Sequence, residues 1–175
     1  MEEEAPLLRA MPRRPLYGLS GFSAKIDLEV LSAVAEEGWC ATAAALAADV
    51  DCKEVRLGVL VVRRGAGVSE GLVDGAGRLL LPVMIPPEVE GLPGFRKLAL
   101  SVAQARCAAV RGVELAGFLN DETDPDLRRV FLLVYRAVVP AGTPAGDGMA
   151  WMARPALAAL TELDPASRLV VAAVG

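Results

Sequence analysis

Histidine is absent from this chain of 175 residues, and cysteine contributes only three residues. Without histidine, the serine–histidine–aspartate and cysteine–histidine arrangements of nucleophilic catalysis are excluded, and the commonest side chain that binds transition metals is missing. The cysteines are odd in number and lie among apolar residues, at Cys40, Cys52 and Cys107. This pattern favours buried free thiols over a disulfide framework.

The sequence also lacks the segments that direct a protein into or across a membrane. It contains no run of about 18 uninterrupted apolar residues, the length that spans a bilayer. It opens Met1-Glu2-Glu3-Glu4, whereas a secretory leader begins with basic and then apolar residues. The net charge of −4 and the scattered basic residues give no attraction to nucleic acid. We therefore expect a cytoplasmic protein that binds neither membranes nor nucleic acid.

Amide side chains are scarce as well. Gln104 is the only glutamine, Asn120 is the only asparagine, and arginine far outnumbers lysine. Depletion of thermolabile amides is compatible with a thermophilic or GC-rich source.

Apolar periodicity predicts strands alternating with helices. The predicted helices cover 25–37, 41–48, 95–111, 155–160 and 165–173, and the predicted strands cover 55–62, 78–84, 115–119 and 130–139. No Gly or Pro interrupts the third helix before Gly112, which is expected to end it. The proline-rich residues 1–21 are expected to form an arm on one domain of residues 22–175. The alternation predicts the α/β class.

Two glycines frame the third helix, because Gly91 and Gly112 stand 21 residues apart. This spacing, with apolar Cys107 and Val113, resembles the signature of Nudix hydrolases, Gly-x5-Glu-x7-Arg-Glu-U-x-Glu-Glu-x-Gly-U, in which U is apolar. Residues 55–65, 117–122 and 164–170 resemble further segments of the MutT-like branch, in the same order. The resemblance runs from about Trp39 to Val171. It implies a Nudix-like α/β/α sandwich around a mixed sheet, with an N-terminal helical extension.

The resemblance also implies cleavage of a diphosphate with Mg²⁺ or Mn²⁺ held by glutamates, but the required acids are missing. The charged positions of the signature fall on Lys97, Ala105, Arg106, Ala109 and Val110, and no Asp or Glu lies between Gly91 and Val113. Hard divalent cations need oxygen ligands. We therefore expect a catalytically degenerate member without a cofactor, which binds a ligand or a protein partner and does not hydrolyse diphosphates.

The cations of the third helix have two interpretations. In the first, Arg96, Lys97 or Arg106 binds a nucleotide or another phosphorylated small molecule directly, and Trp151 stacks on a base. In the second, the cations form a solvated helix face, and Trp151 packs in the core.

Two further functions stay open from the sequence. One is a metal-dependent hydrolase of nucleoside-diphosphate derivatives, whose ligands come from Glu88, Glu90, Asp121 and Glu122. The other is a structural homodimer, in which a second copy covers the apolar surface of the Ala-rich helix.

Overall fold

A computed structural model describes residues 5–65 and 67–175 of the chain. The helices are α1 (Leu28–Ala35), α2 (Ala43–Ala48), α3 (Gly91–Arg106), α4 (Arg154–Ala159) and α5 (Pro165–Leu169). The strands are β1 (Leu7–Pro12), β2 (Gly21–Ser23), β3 (Trp39–Thr42), β4 (Cys52–Arg64), β5 (Ser69–Asp74), β6 (Leu81–Met84), β7 (Glu114–Asn120), β8 (Val130–Pro140) and β9 (Met149–Ala153).

All nine of these strands form one mixed sheet. Its main path runs β2-β7-β8-β4-β1-β3, while β5 and β6 pair with further parts of β4, and β9 pairs with β5. The long strands β4 and β8 are parallel, with Glu54 opposite Val130 at one end and Arg64 opposite Pro140 at the other. The remaining pairings are antiparallel.

Helices cover both faces of this sheet because β4 and β8 are apolar on both sides. Alternate residues of a strand point to opposite faces. Leu57 of β4 and Leu133 of β8 pack in a core cluster with Phe95 of α3 and Val34 of α1. Leu60 of β4 and Leu132 of β8 lie in a second cluster, with Leu157 of α4. This confirms the α/β/α sandwich around a mixed sheet.

Side-chain caps set the starts of the N-terminal helices. The carboxylate of Asp27 accepts hydrogen bonds from the amides of Glu29 and Val30, so α1 begins at Leu28. The hydroxyl of Thr42 accepts from the amide of Ala45, so α2 begins at Ala43. Both helices of the predicted N-terminal extension are present, each shorter than the apolar pattern indicated.

Other boundaries differ from the prediction. The predicted arm contributes β1, which pairs with β3 and β4 and therefore belongs to the sheet. The short strands β2, β3, β5 and β9 were not predicted. The third helix ends at Arg106, where Cys107 turns to an extended conformation with φ −150° and ψ 108°. Gly112 therefore does not end the helix.

Within the described part of the chain, no helix has both the length and the apolar composition needed to cross a membrane.

Candidate functional site along helix α3

The C-terminal end of α3 carries a buried arginine. Arg106 is only 7% exposed. Its Nη1 donates to the carbonyl oxygens of Val59 at 3.3 Å and Leu79 at 3.0 Å. Its Nη2 donates to the carbonyl oxygens of Leu72 at 3.4 Å and Arg78 at 3.0 Å. Burial lowers the pKa of Arg106, but arginine stays protonated in proteins. The guanidinium is therefore a cation that donates to four backbone oxygens.

These carbonyl groups come from the place where β4 changes partners. β4 pairs with β6 from Arg56 to Val59 and with β5 from Val62 to Arg64, so the sheet splits between the two. The backbone groups at such a split need partners because unsatisfied buried groups are unfavourable. Arg106 supplies donors to the carbonyls. Ser167 supplies the acceptor, since its Oγ lies 2.9 Å from the amide nitrogens of both Leu79 and Leu80.

One face of the N-terminal half of α3 is open to solvent. A depression of about 520 Å³, the α3 depression, is lined by Glu88, Val89, Glu90, Gly94, Lys97, Leu98 and Ser101. Glu90 precedes the helix but its side chain does not cap it. The structure thus brings Lys97 together with Glu88 and Glu90, which the sequence analysis had placed in competing hypotheses.

The α3 depression combines groups of both charges. The ammonium group of Lys97 donates up to three hydrogen bonds, which suits a phosphate oxygen. Two carboxylates hold Mg²⁺ in proteins together with waters and the phosphate oxygens of a substrate. This is the part of α3 that has chemistry available for a ligand.

The other predicted ligand-binding residues lie elsewhere. Lys97 and Arg106 are nine positions apart, which is about two and a half turns and puts them on opposite faces of α3. Arg96 is exposed and donates through Nε to the carbonyl oxygen of Val113 at 3.1 Å. Trp151 is half-buried, with its ring 4.9 Å from the guanidinium of Arg63. Of the predicted ligand-binding residues, Lys97 alone lines the α3 depression.

Asp121 and Glu122 lie beyond the end of β7 and already have partners. One carboxylate oxygen of Asp121 accepts from the amide and hydroxyl of Thr123 at 2.7 and 2.6 Å, and these bonds hold the pKa of Asp121 below its usual value. Glu122 is 2.8 Å from the Nζ of Lys53. In residues 5–65 and 67–175, no three His, Cys, Asp or Glu side chains form a group suited to a metal ion.

Lys53 belongs to a buried polar cluster that the sequence analysis missed. Its side chain is 0% exposed, and its Nζ also donates to the Oδ1 of Asn120 at 2.6 Å. Burial lowers the pKa of Lys53, and the bond to Glu122 opposes this effect. The sequence alone does not single out Lys53, because β4 also contains Glu54 and three arginines.

Comparison with known proteins identifies the fold. No protein-family model and no curated protein matches the chain. Among solved structures, the chain is similar to Tm1382, described as "a putative Nudix hydrolase", with a TM-score of 0.72 and 14% sequence identity. The superposition covers 95% of this chain and 96% of that chain.

This chain has a Nudix-like fold. At 14% identity the likeness shows the fold alone, because one fold hosts many functions. In this Nudix-like fold, two of the charged positions of the signature, Ala109 and Val110, lie beyond the end of α3.

Proposed function

We propose that this Nudix-like protein binds a ligand or a protein partner and does not hydrolyse diphosphates. The observation that carries the proposal is Arg106, which stands at a carboxylate position of the signature and is buried among four backbone carbonyls. A fixed positive charge at this position repels a divalent cation. No carboxylate on α3 offsets it, since the helix contains neither Asp nor Glu.

The α3 depression is the proposed ligand site. Lys97 is exposed and has no ion pair among the described residues, so it is available to a phosphate group. Ser101 adds a hydroxyl group that can donate or accept. Glu88 and Glu90 disfavour highly charged anions and would accept from hydroxyl or amino groups of a ligand. A nucleotide or another phosphorylated small molecule has this combination of groups.

A metal-dependent hydrolase is the second candidate, and the same depression favours it. Glu88, Glu90 and Lys97 line it together, so a Mg²⁺ or Mn²⁺ ion brought by a diphosphate would meet two carboxylates and one ammonium group. Asp121 and Glu122 contribute less to this candidate because hydrogen bonds and the ion pair to Lys53 engage their oxygens.

A hydrolysis assay separates the two candidates. Purified protein is incubated with nucleoside diphosphates, dinucleotides, ADP-ribose and nucleotide sugars, each with Mg²⁺, with Mn²⁺ and with a chelator. We expect no turnover above the rate without protein. Metal-dependent turnover that the double variant Glu88→Gln, Glu90→Gln abolishes would establish the hydrolase and overturn the proposal.

A thermal-shift experiment tests the ligand site itself. A ligand at about a hundred times its Kd adds roughly 2.7 kcal/mol of stability and raises the melting temperature by several degrees. We expect such a shift from one of these compounds without metal, and we expect Lys97→Ala to remove it. Lys25→Ala, at another exposed lysine, is the matched control. If Lys97→Ala retains the full shift, the α3 depression is not the site.

A further inference from the structure

The charged side chains of the α3 depression are not paired with one another. Glu88, Glu90 and Lys97 all line it and are all exposed. None of the three forms an ion pair in the part of the chain that the structure describes. Charges of both signs are therefore available to a ligand in one depression.

The balance of these charges restricts the ligand. Two carboxylates against one ammonium group give the depression a net negative charge. A ligand that is only anionic gains one ion pair, with Lys97, and is repelled by Glu88 and Glu90. A ligand that is only cationic leaves Lys97 unpaired and is repelled by it. A ligand that carries one group of each sign complements all three side chains.

Apolar side chains lie among these charged groups. Val89 and Leu98 line the depression, and both are partly buried against the core cluster that contains Phe95. They offer a surface to the carbon skeleton that joins two charged groups of a ligand. Within residues 5–65 and 67–175, the lining of the depression includes no aromatic side chain. Because aromatic faces are what nucleobases stack on, the lining favours a small aliphatic or sugar skeleton over a nucleoside.

The wall that carries the carboxylates has a fixed shape. Pro86 and Pro87 precede Glu88 in a turn, and the amide of Val89 donates to the carbonyl oxygen of Pro86 at 3.0 Å. Proline fixes its own backbone φ angle. A β-carbon at Gly94 would lie 3.2 Å from the Cγ1 of Val89, so the turn packs closely against α3. A ligand that binds such a wall loses less of its affinity to ordering of the protein.

We propose that the α3 depression binds a small phosphate monoester that also carries an ammonium group, such as an amino-sugar phosphate. The phosphate pairs with Lys97, and Ser101 lies four residues further on the same face of α3. The ammonium group pairs with Glu88 and Glu90, since its three donors serve both carboxylates. This inference rests on the ligand site proposed above and narrows its ligand.

NMR titration of isotopically labelled protein with three matched compounds tests the proposal. Glucosamine 6-phosphate carries both charged groups, glucose 6-phosphate has a hydroxyl group in place of the ammonium group, and glucosamine lacks the phosphate. A chelator is present, so that no divalent metal ion bridges phosphate and carboxylates. We expect glucosamine 6-phosphate to shift the amide signals of Val89, Lys97 and Ser101. We expect it to bind at least about threefold more tightly than either analogue, a modest factor because exposed ion pairs are weak.

Variants assign each ionic contact. Glu88→Gln, Glu90→Gln should weaken binding of glucosamine 6-phosphate at least about threefold, while binding of glucose 6-phosphate stays unchanged or becomes tighter. Lys97→Ala should weaken both phosphates at least about threefold, and binding of glucosamine should stay unchanged or become tighter. Glu37→Gln, Glu162→Gln is the matched control, because both glutamates are exposed and lie outside the depression.

A second pair of compounds distinguishes an amino-sugar phosphate from an amino-alcohol phosphate. Phosphoethanolamine carries the same two charged groups on a two-carbon chain, and ethyl phosphate lacks the ammonium group. An advantage of the amino compound in either pair, lost in Glu88→Gln, Glu90→Gln, supports the proposal. The pair with the larger advantage identifies the skeleton.

The results that overturn this inference are separable from those that overturn the proposed function. If both phosphates without an ammonium group bind as tightly as their amino counterparts, or if Glu88→Gln, Glu90→Gln keeps the full preference, the carboxylates do not select an ammonium group. The ligand site then stands as long as Lys97→Ala weakens the binding. If no phosphate compound, nucleotides included, shifts the amide signals around the depression, the proposed ligand site fails together with this inference.

Discussion

The two halves of α3 hold their cations in opposite ways. At the C-terminal end, Arg106 is buried and bonded to four carbonyl oxygens at the split between β5 and β6. In the N-terminal half, Lys97 is exposed beside an open depression, and Arg9 lies over Phe95 without a partner among the described residues. A cation surrounded by backbone carbonyls that lack other donors stabilises the fold, whereas a cation without such neighbours is available to a ligand.

The largest expected effect is at Arg106. Arg106→Leu leaves the carbonyl groups of the split without their donor, and we expect a loss of about 3–5 kcal/mol in the free energy of unfolding. Urea unfolding followed by circular dichroism measures it. Lys97→Met, in the open half, is the matched control and is expected to change stability by less than about 0.5 kcal/mol. Equal effects of the two substitutions would remove the distinction between the two halves.

Ser167 supplies the hydrogen-bond acceptor where the sheet splits between β5 and β6. Ser167→Ala leaves the buried amides of Leu79 and Leu80 without their acceptor. We expect a loss of about 1–3 kcal/mol in the same unfolding experiment. An unchanged urea midpoint would show that these amides find other partners and that the split does not depend on Ser167.

Arg9→Leu is expected to act in the direction opposite to Arg106→Leu. Replacing a buried cation that lacks a partner with an apolar side chain removes a desolvation cost, so stability should stay within about 1 kcal/mol or rise. Thermal unfolding without added ligand measures it. A loss of more than about 2 kcal/mol would mean that Arg9 has a stabilising partner.

The smallest expected effect is the pH dependence of stability that comes from Asp74, at the end of β5. Burial raises the pKa of Asp74. Hydrogen bonds from the amides of Arg78 and Ala76 and from the side chain of Arg78 outweigh this effect, so the pKa of Asp74 is lowered. Its contribution to stability is therefore present above the usual aspartate pKa and is lost as pH falls through the lowered folded value. Asp74→Asn should reduce this loss of stability at acid pH by about 1 kcal/mol or less. An unchanged slope of stability against pH would contradict it.

Much of the fold could be predicted because its signals are local. The apolar runs of β4 and β8 and the helix-favouring residues of α3 are present in the sequence alone, and the structure confirms all three elements. β1 could not be predicted because Arg9 interrupts its apolar pattern and its partners are distant in the chain. The end of α3 was predicted too late, since no Gly or Pro marks Arg106 and tertiary hydrogen bonds hold that residue.

The candidate site was predicted in pieces. Glu88, Glu90 and Lys97 were each named from the sequence, but only the turn before α3 brings them to one depression. Lys97 and Arg106 could have been separated beforehand, because nine residues on a helix place them on opposite faces. The guanidinium of Arg63, which lies over Trp151, comes from β4 and had no local signal.

Mn²⁺ binding tests the central claim most directly. Electron paramagnetic resonance reports free Mn²⁺ as it is titrated with protein, alone and with ADP-ribose. If the protein has no metal site, it removes no more Mn²⁺ from solution than ADP-ribose does by itself. Additional binding that Glu88→Gln, Glu90→Gln abolishes would contradict the account and restore the metal-dependent hydrolase.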